Sequence, residues 1–260
     1  MVFAELLGIW IFLTKAVRLQ NHPAFVQFRP HLELLNHGTV AQHKRLRACE
    51  EATNKIFELL FALVLLDIGR DLVLDPPDLA KGDNPDILVT LGKQRWGFAC
   101  KTVYGQSGKT FFDNLKKGVE QVEVSEAQVG CAMVNFRNQL DHEPFWPLLN
   151  KDDYQAGAEP VFGAFPEPAL LGMELCRQVT LKRDQVVTEI GLNNVINFFN
   201  GKKAVPGFLA FCQTITAKAT SRGPIPSLVS ALVLGNFGRC DPHLPVFRQI
   251  NEALHERAHQ

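Results

Sequence analysis

Residues 85–103 read PDILVTLGKQRWGFACKTV, and the fold turns on how this stretch is parsed. Asp86 to Leu91 (DILVTL) is apolar and β-branched, the composition of a strand. GKQ at 92–94 is a tight turn, and Arg95 to Val103 (RWGFACKTV) is the returning strand of a hairpin. Side chains alternate across a strand, so Trp96, Phe98 and Cys100 share one face while Gly97, Ala99 and Lys101 share the other. Lys101 is therefore expected on a face of small residues, with room beside it. Asp86 opens the facing strand, directly after Pro85.

Working outward, Asp71 to Asp75 (DLVLD) alternates like a strand, and Pro76-Pro77 end it. Residues 104–109 form a loop containing Gly105 and Gly108. The spacing of Phe112, Leu115, Val119 and Val122 predicts a helix over 110–127, and VGCAMVNF (129–136) a further strand. Residues 67–136 thus form a strand–strand–strand–helix–strand unit. Upstream, residues 1–20 read as an amphipathic helix that His22-Pro23 breaks, and 24–37 as a short helical or irregular link. Thr39 is the expected N-cap of a long helix over 40–66. Its second half, IFELLFALVLL (56–66), is apolar nearly all round and is predicted to be buried on more than one side. Downstream, 138–172 is rich in Pro, Asp and Glu and reads as long connections. Helix is expected within 176–200, ending at Gly201, and again over 206–218. Residues 227–237 read as a strand and 244–258 as a closing helix.

The fold class is α/β. Its expected division is an N-terminal helical extension (1–39), an α/β core (40–136) and a C-terminal α/β extension packing on that core (137–260), the alternative being one continuous domain. The chain has 260 residues with 46% apolar and 21% charged side chains, the composition of a globular protein. Net charge is zero, so the bulk electrostatics neither announce a nucleic-acid partner nor exclude a local basic groove. Six scattered cysteines without a CxxC pair read as free thiols in a reducing compartment. The apolar start, MVFAELLGIWIFLTKAV, carries Glu5 and Lys15 and is too short to span a bilayer. The expectation is a cytoplasmic protein with no membrane partner.

An acid at the start of one strand and a lysine near the end of the next is a chemically suggestive pair. A carboxylate holds a divalent metal. An ammonium orients an attacking water or stabilises charge developing on a phosphate. The helix after the hairpin adds a polar stripe of Asn114, Lys117, Gln121 and Ser125. Pro85-Asp86, then Ala99-Cys100-Lys101, then Gln121, in this element order, resembles the PD-(D/E)xK nuclease superfamily over residues 40–136.

That resemblance implies a restriction-endonuclease-like mixed sheet flanked by helices, here with extra N- and C-terminal helical elements. It implies a DNA phosphodiester as substrate and magnesium (or manganese) as cofactor. Asp86 would hold the metal, Lys101 would assist the attack of water, and Gln121 would join them. Glu50 or Glu51 on the preceding helix is placed to be a further acid, Glu51 being taken as the metal ligand. Lys44, Arg47, Lys109 and Lys117 would contact nucleic acid. The departure is Ala99, where the family has an acid. Either another acid migrates in, with Glu50, Glu51, Glu120 and Asp83 as candidates, or the protein binds nucleic acid or a protein partner without cutting. Self-association as a homodimer is compatible with either. Asp86 also has a plainer reading, as the cap of the turn at 83–85, and Lys101 another, as a solvated strand-end charge.

Overall fold

The hairpin forms where its alternation places it. In the computed structural model, which describes residues 2–46, 49–77, 84–142, 145, 168–220 and 223–255, β2 (Ile87–Leu91) and β3 (Gln94–Thr102) pair antiparallel. Gly92 makes the turn at φ +60°, a conformation that glycine adopts without steric cost. β1 (Arg70–Leu74) pairs antiparallel with β2 on the outer side. The chain then leaves β3 and crosses through a helix to β4 (Val129–Asn135), which lies parallel to β3. This crossover helix is α4 of the chain (Gly108–Val124), and Ser107 caps it by accepting the Thr110 N–H at 3.0 Å. The predicted apolar positions Phe112, Leu115, Val119 and Val122 are all buried.

The sheet has six strands in sequence order. β5 (Ala204–Thr220) lies parallel to β4, and β6 (Gly223–Asn236) returns antiparallel to β5 as a long hairpin. The helix expected over 206–218 is therefore a strand. Residues 206–212 (PGFLAFC) read as a continuous apolar run because the sheet is covered on both faces here, and burial on both faces erases the two-residue alternation.

Three helices cover one face of the sheet. They are α1 (Val2–Leu19), α3 (Glu51–Ile68) and α7 (Leu244–His255), with the short α2 (Arg29–Glu33) against α3. The other face carries α4, α5 (Pro168–Ile190) and α6 (Leu192–Phe199). Trp96, Phe98 and Cys100 point into the first layer and Ala99 into the second, as the alternation requires. α3 touches α1, α7 and the sheet, which accounts for its all-round apolar sequence. Among the described residues, no helix is long and apolar enough to cross a membrane, and all six cysteines are free thiols.

The long helix expected from residue 40 begins only at Glu51. Thr39 is not its N-cap; the Thr39 N–H instead donates to Thr53 Oγ1 at 3.0 Å. Residues 40–46 are non-helical because side chains from distant parts of the chain satisfy their backbone. Asn138 Oδ1 accepts the Leu46 N–H at 2.8 Å, Gln213 Oε1 accepts that of Gln42, and Arg137 Nε donates to Lys44 O at 2.7 Å. Arg137 is fully buried, its other bond going to Gln42 Oε1 at 2.7 Å, and burial pushes its guanidinium down to about 10.

Candidate functional site

The carboxyl end of β3 opens into a cleft of about 270 Å³ between α3 and α4. Crevices at strand ends are where open α/β sheets place ligands. From α3, Glu51, Asn54, Lys55 and Glu58 line it; their spacing of three, four and seven residues puts them on one helical face. Asp75 follows β1 and Asp86 precedes β2. The Asp75 N–H donates to Asp86 O at 2.9 Å, so strand pairing itself brings both acids to this end of the sheet. β3 contributes Cys100 to Thr102, and α4 contributes Asn114 and Gln121, two turns apart.

The hydrogen bonds fix the acids and the lysines to one another. Asp86 Oδ2 accepts the Cys100 N–H at 2.6 Å and lies 3.7 Å from Lys101 Nζ. Lys101 Nζ also donates to Gln121 Oε1. Deeper in, Lys55 Nζ donates to Glu58 Oε2 at 2.9 Å. The fully buried His31, on α2, places Nε2 3.8 Å from the same oxygen.

Burial and the neighbouring Glu58 charge push the Asp86 carboxyl up to about 6, against the pull of Lys101 and Lys55. Asp75 is raised for the same first reason, burial, with Glu58 adding to it and Lys55 opposing. Burial alone would depress the Lys55 ammonium, but the charge and hydrogen bond of Glu58, with Asp86 behind it, outweigh that and raise it. Cys100 is buried beside these acids, and burial first, then the Asp86 and Glu58 charges, push its thiol well above the ordinary range, which disfavours the thiolate.

Of the residues picked out in the sequence, Asp86, Lys101, Asn114, Gln121 and Glu51 come together in this cleft. Glu51 is exposed at one end of the α3 face. Seven residues on, about 10 Å along the helix, Glu58 is the acid whose charge is felt at Asp86. Glu50 accepts a hydrogen bond from Thr53 Oγ1 at 2.9 Å and does not line the cleft; neither does Glu120. Lys44, Lys109 and Lys117 do not line it either. Lys44 Nζ sits 3.9 Å from Glu5 Oε1, and Lys109 and Lys117 are exposed. Ser125 ends α4 and donates to Val122 O at 2.8 Å. Arg47 and Asp83 lie outside the described residues.

On the side of Ala99, the space expected beside Lys101 is taken up by α4; the open space lies on the cleft side. Ala99 is fully buried under α4, and a Cβ on Gly118 would stand 3.3 Å from Ala99 Cβ and 3.4 Å from Lys101 Cε. The residues that the sequence reading missed are Glu58, Lys55 and Asp75. Glu58 had a signal: it is the one charged residue in the run 56–66. A lone acid at a position predicted to be buried has to find a partner or a role.

Among the described residues, no group of three or more His, Cys, Asp or Glu side chains converges as a ligand set for a metal ion. The cleft nonetheless presents four carboxylates (Glu51, Glu58, Asp75, Asp86) against two ammonium groups (Lys55, Lys101). No family model matches the chain, and no curated protein or solved structure matches it significantly.

Proposed function

We propose that the cleft is a metal-dependent phosphodiester site in a restriction-endonuclease-like fold, acting on DNA. The observation that carries this reading is the charge of the cleft wall, four carboxylates to two ammonium groups. A formal excess of two negative charges repels a bare phosphate diester, and one divalent cation cancels it. The same balance weighs against a nucleic-acid-binding role without metal. The order of elements agrees with the proposal: α3, an antiparallel three-strand meander, then α4 crossing to a parallel β4, with Asp86 and Lys101 on adjacent strands.

The donor set suits magnesium, which takes one or two carboxylates and keeps several waters, better than a metal that demands a full protein cage. Asp86 and Glu58 would hold it, Glu58 standing in for the acid that Ala99 lacks. The bound ion would supply charge neutralisation and a more acidic water. The chain's own part is to place Lys101: Asp86 and Gln121 hold its ammonium at the mouth of β3, where it orients a water or meets the charge growing on the phosphate.

A second reading rests on Ala99, whose fully buried methyl group offers no ligand: a nuclease-fold protein that no longer cuts and engages a partner instead. One experiment separates the two. The protein is incubated with linear and circular DNA and magnesium or manganese, alongside Asp86→Ala, Glu58→Gln and Lys101→Ala. Cleavage that needs metal and is lost in all three variants supports the first reading. Cleavage indifferent to the substitutions defeats it, and absence of cleavage favours the second.

A further inference from the structure

The cleft already contains a cation of its own. Lys55 is 6% exposed, and its ammonium lies 2.9 Å from Glu58 Oε2. The two residues are one turn apart on α3, so the helix itself sets the pairing. Asp75 and Asp86 line the same cleft, and the ammonium's field reaches both. Lys55 therefore pairs directly with the carboxylate of Glu58, in a cleft that the end of β1 and the start of β2 line with two more, Asp75 and Asp86. A magnesium or manganese ion would seek the same oxygens.

We propose that Lys55 is a built-in competitor for the cation position: its ammonium balances Glu58 until a divalent ion displaces it, and so sets the metal affinity of the cleft. The inference rests on the phosphodiester reading for its location but concerns cation binding alone. A site open only when the ammonium has moved binds metal more weakly, in proportion to how seldom it is open. The four-carbon stem gives the ammonium somewhere to go, since Asp75 borders the same space.

The test uses manganese alone, without DNA, on the full chain. Binding is followed by isothermal titration calorimetry and by the paramagnetic resonance signal of the free ion. Lys55→Met is expected to bind manganese about tenfold or more tightly than the wild type. Lys55→Arg, which keeps the charge, is expected to stay near the wild type. A purely structural lysine would give the opposite, with Lys55→Met binding no better or worse. That result, or equal shifts in both variants, or no manganese binding by any of the three, overturns the proposal.

Lys55→Met leaves Glu58 buried without its partner. Should that variant not fold, the wild type decides, with lysines carbon-13 labelled at Cε and the Lys55 resonance assigned by its loss in Lys55→Arg. Magnesium is expected to move that resonance saturably, and a resonance that stays put overturns the proposal. Absence of DNA cleavage alongside the predicted metal affinities would sink the nuclease reading and leave this one standing.

Discussion

Asp86 is hydrogen-bonded through Oδ2 to the backbone nitrogen of Cys100 at 2.6 Å, so the acid of one strand is tied to the strand that carries Lys101. The bond holds the pair in register. Asp86→Asn keeps an oxygen acceptor there, whereas Asp86→Ala leaves a buried N–H without one. Both remove the charge, so their difference isolates the bond. Asp86→Ala is expected to be less stable than Asp86→Asn by about 1–3 kcal/mol in urea unfolding. Equal midpoints would show that the N–H finds another acceptor.

The same carboxyl predicts an unusual pH dependence. An unfolded aspartate ionises near 3.8, and in the fold burial first, then the Glu58 charge, push Asp86 up to about 6. Between those values the folded state keeps a proton that the unfolded state has released. The contribution of Asp86 to stability therefore falls as pH rises from about 4 to about 6, opposite in sign to a salt-bridged acid. Asp86→Asn has no such proton. Relative to that variant, the wild type is expected to be more stable at pH 4 than at pH 7, and a difference that stays flat across the window would refute the assignment.

Placing an acid at position 99, two residues before Lys101, is expected to fail. Ala99 is fully buried beneath α4, where Gly118 approaches its methyl group. A longer side chain there has to push the helix off the sheet. Ala99→Glu should cost about 1–3 kcal/mol of stability through overpacking, and manganese binding should not tighten. A stable Ala99→Glu protein with higher manganese affinity would mean that α4 yields and that an acid at position 99 can join the cleft.

Arg137 pins the segment 40–46 through Lys44 O and Gln42 Oε1. Arg137→Met keeps much of the volume and removes both bonds. Amide exchange in 40–46 is expected to quicken by about tenfold or more, while that of β3 and β4 stays as it was, the pattern of a local opening. Uniform acceleration across the sheet would instead make Arg137 a determinant of global stability.

What the sequence made legible follows from the range of the interactions involved. The hairpin and α4 are specified locally, by alternation, by the turn at Gly92 and by the cap at Ser107; the strands stand within a residue, and α4 within three, of where the pattern puts them. Residues 40–46 were misread as helix because their partners, Arg137, Asn138 and Gln213, lie more than ninety residues away. β5 was misread because its alternation is lost between two helical layers. In the cleft, Asp86, Lys101 and Gln121 come from neighbouring elements in a recognisable order. Lys55 and Asp75 gain meaning only once α3 is laid across the strand ends, which no spacing in the chain announces.

The hairpin of β5 and β6 has a further consequence. Pairing with β4 covers β5 only as far as Phe211, and beyond it, among the described residues, the two strands continue as a ribbon paired only with each other, out to Thr220 and Gly223. β6 is thus the last strand of the sheet, a long edge of the kind that recruits strands from other molecules. It carries prolines at 224 and 226, opposite Ala219 and Ala217. Two residues apart, their missing N–H groups fall on the same side, and because the pairing with β5 is unbroken that side is the outer one. The outer rim of the ribbon is short of two donors where a visiting strand would have to zip on. Two imino acids thus work against polymerisation through this stretch of the edge, while nearer α7 the Leu232 N–H and the Ser230 carbonyl are already taken by Asn251 Oδ1 and the His255 ring.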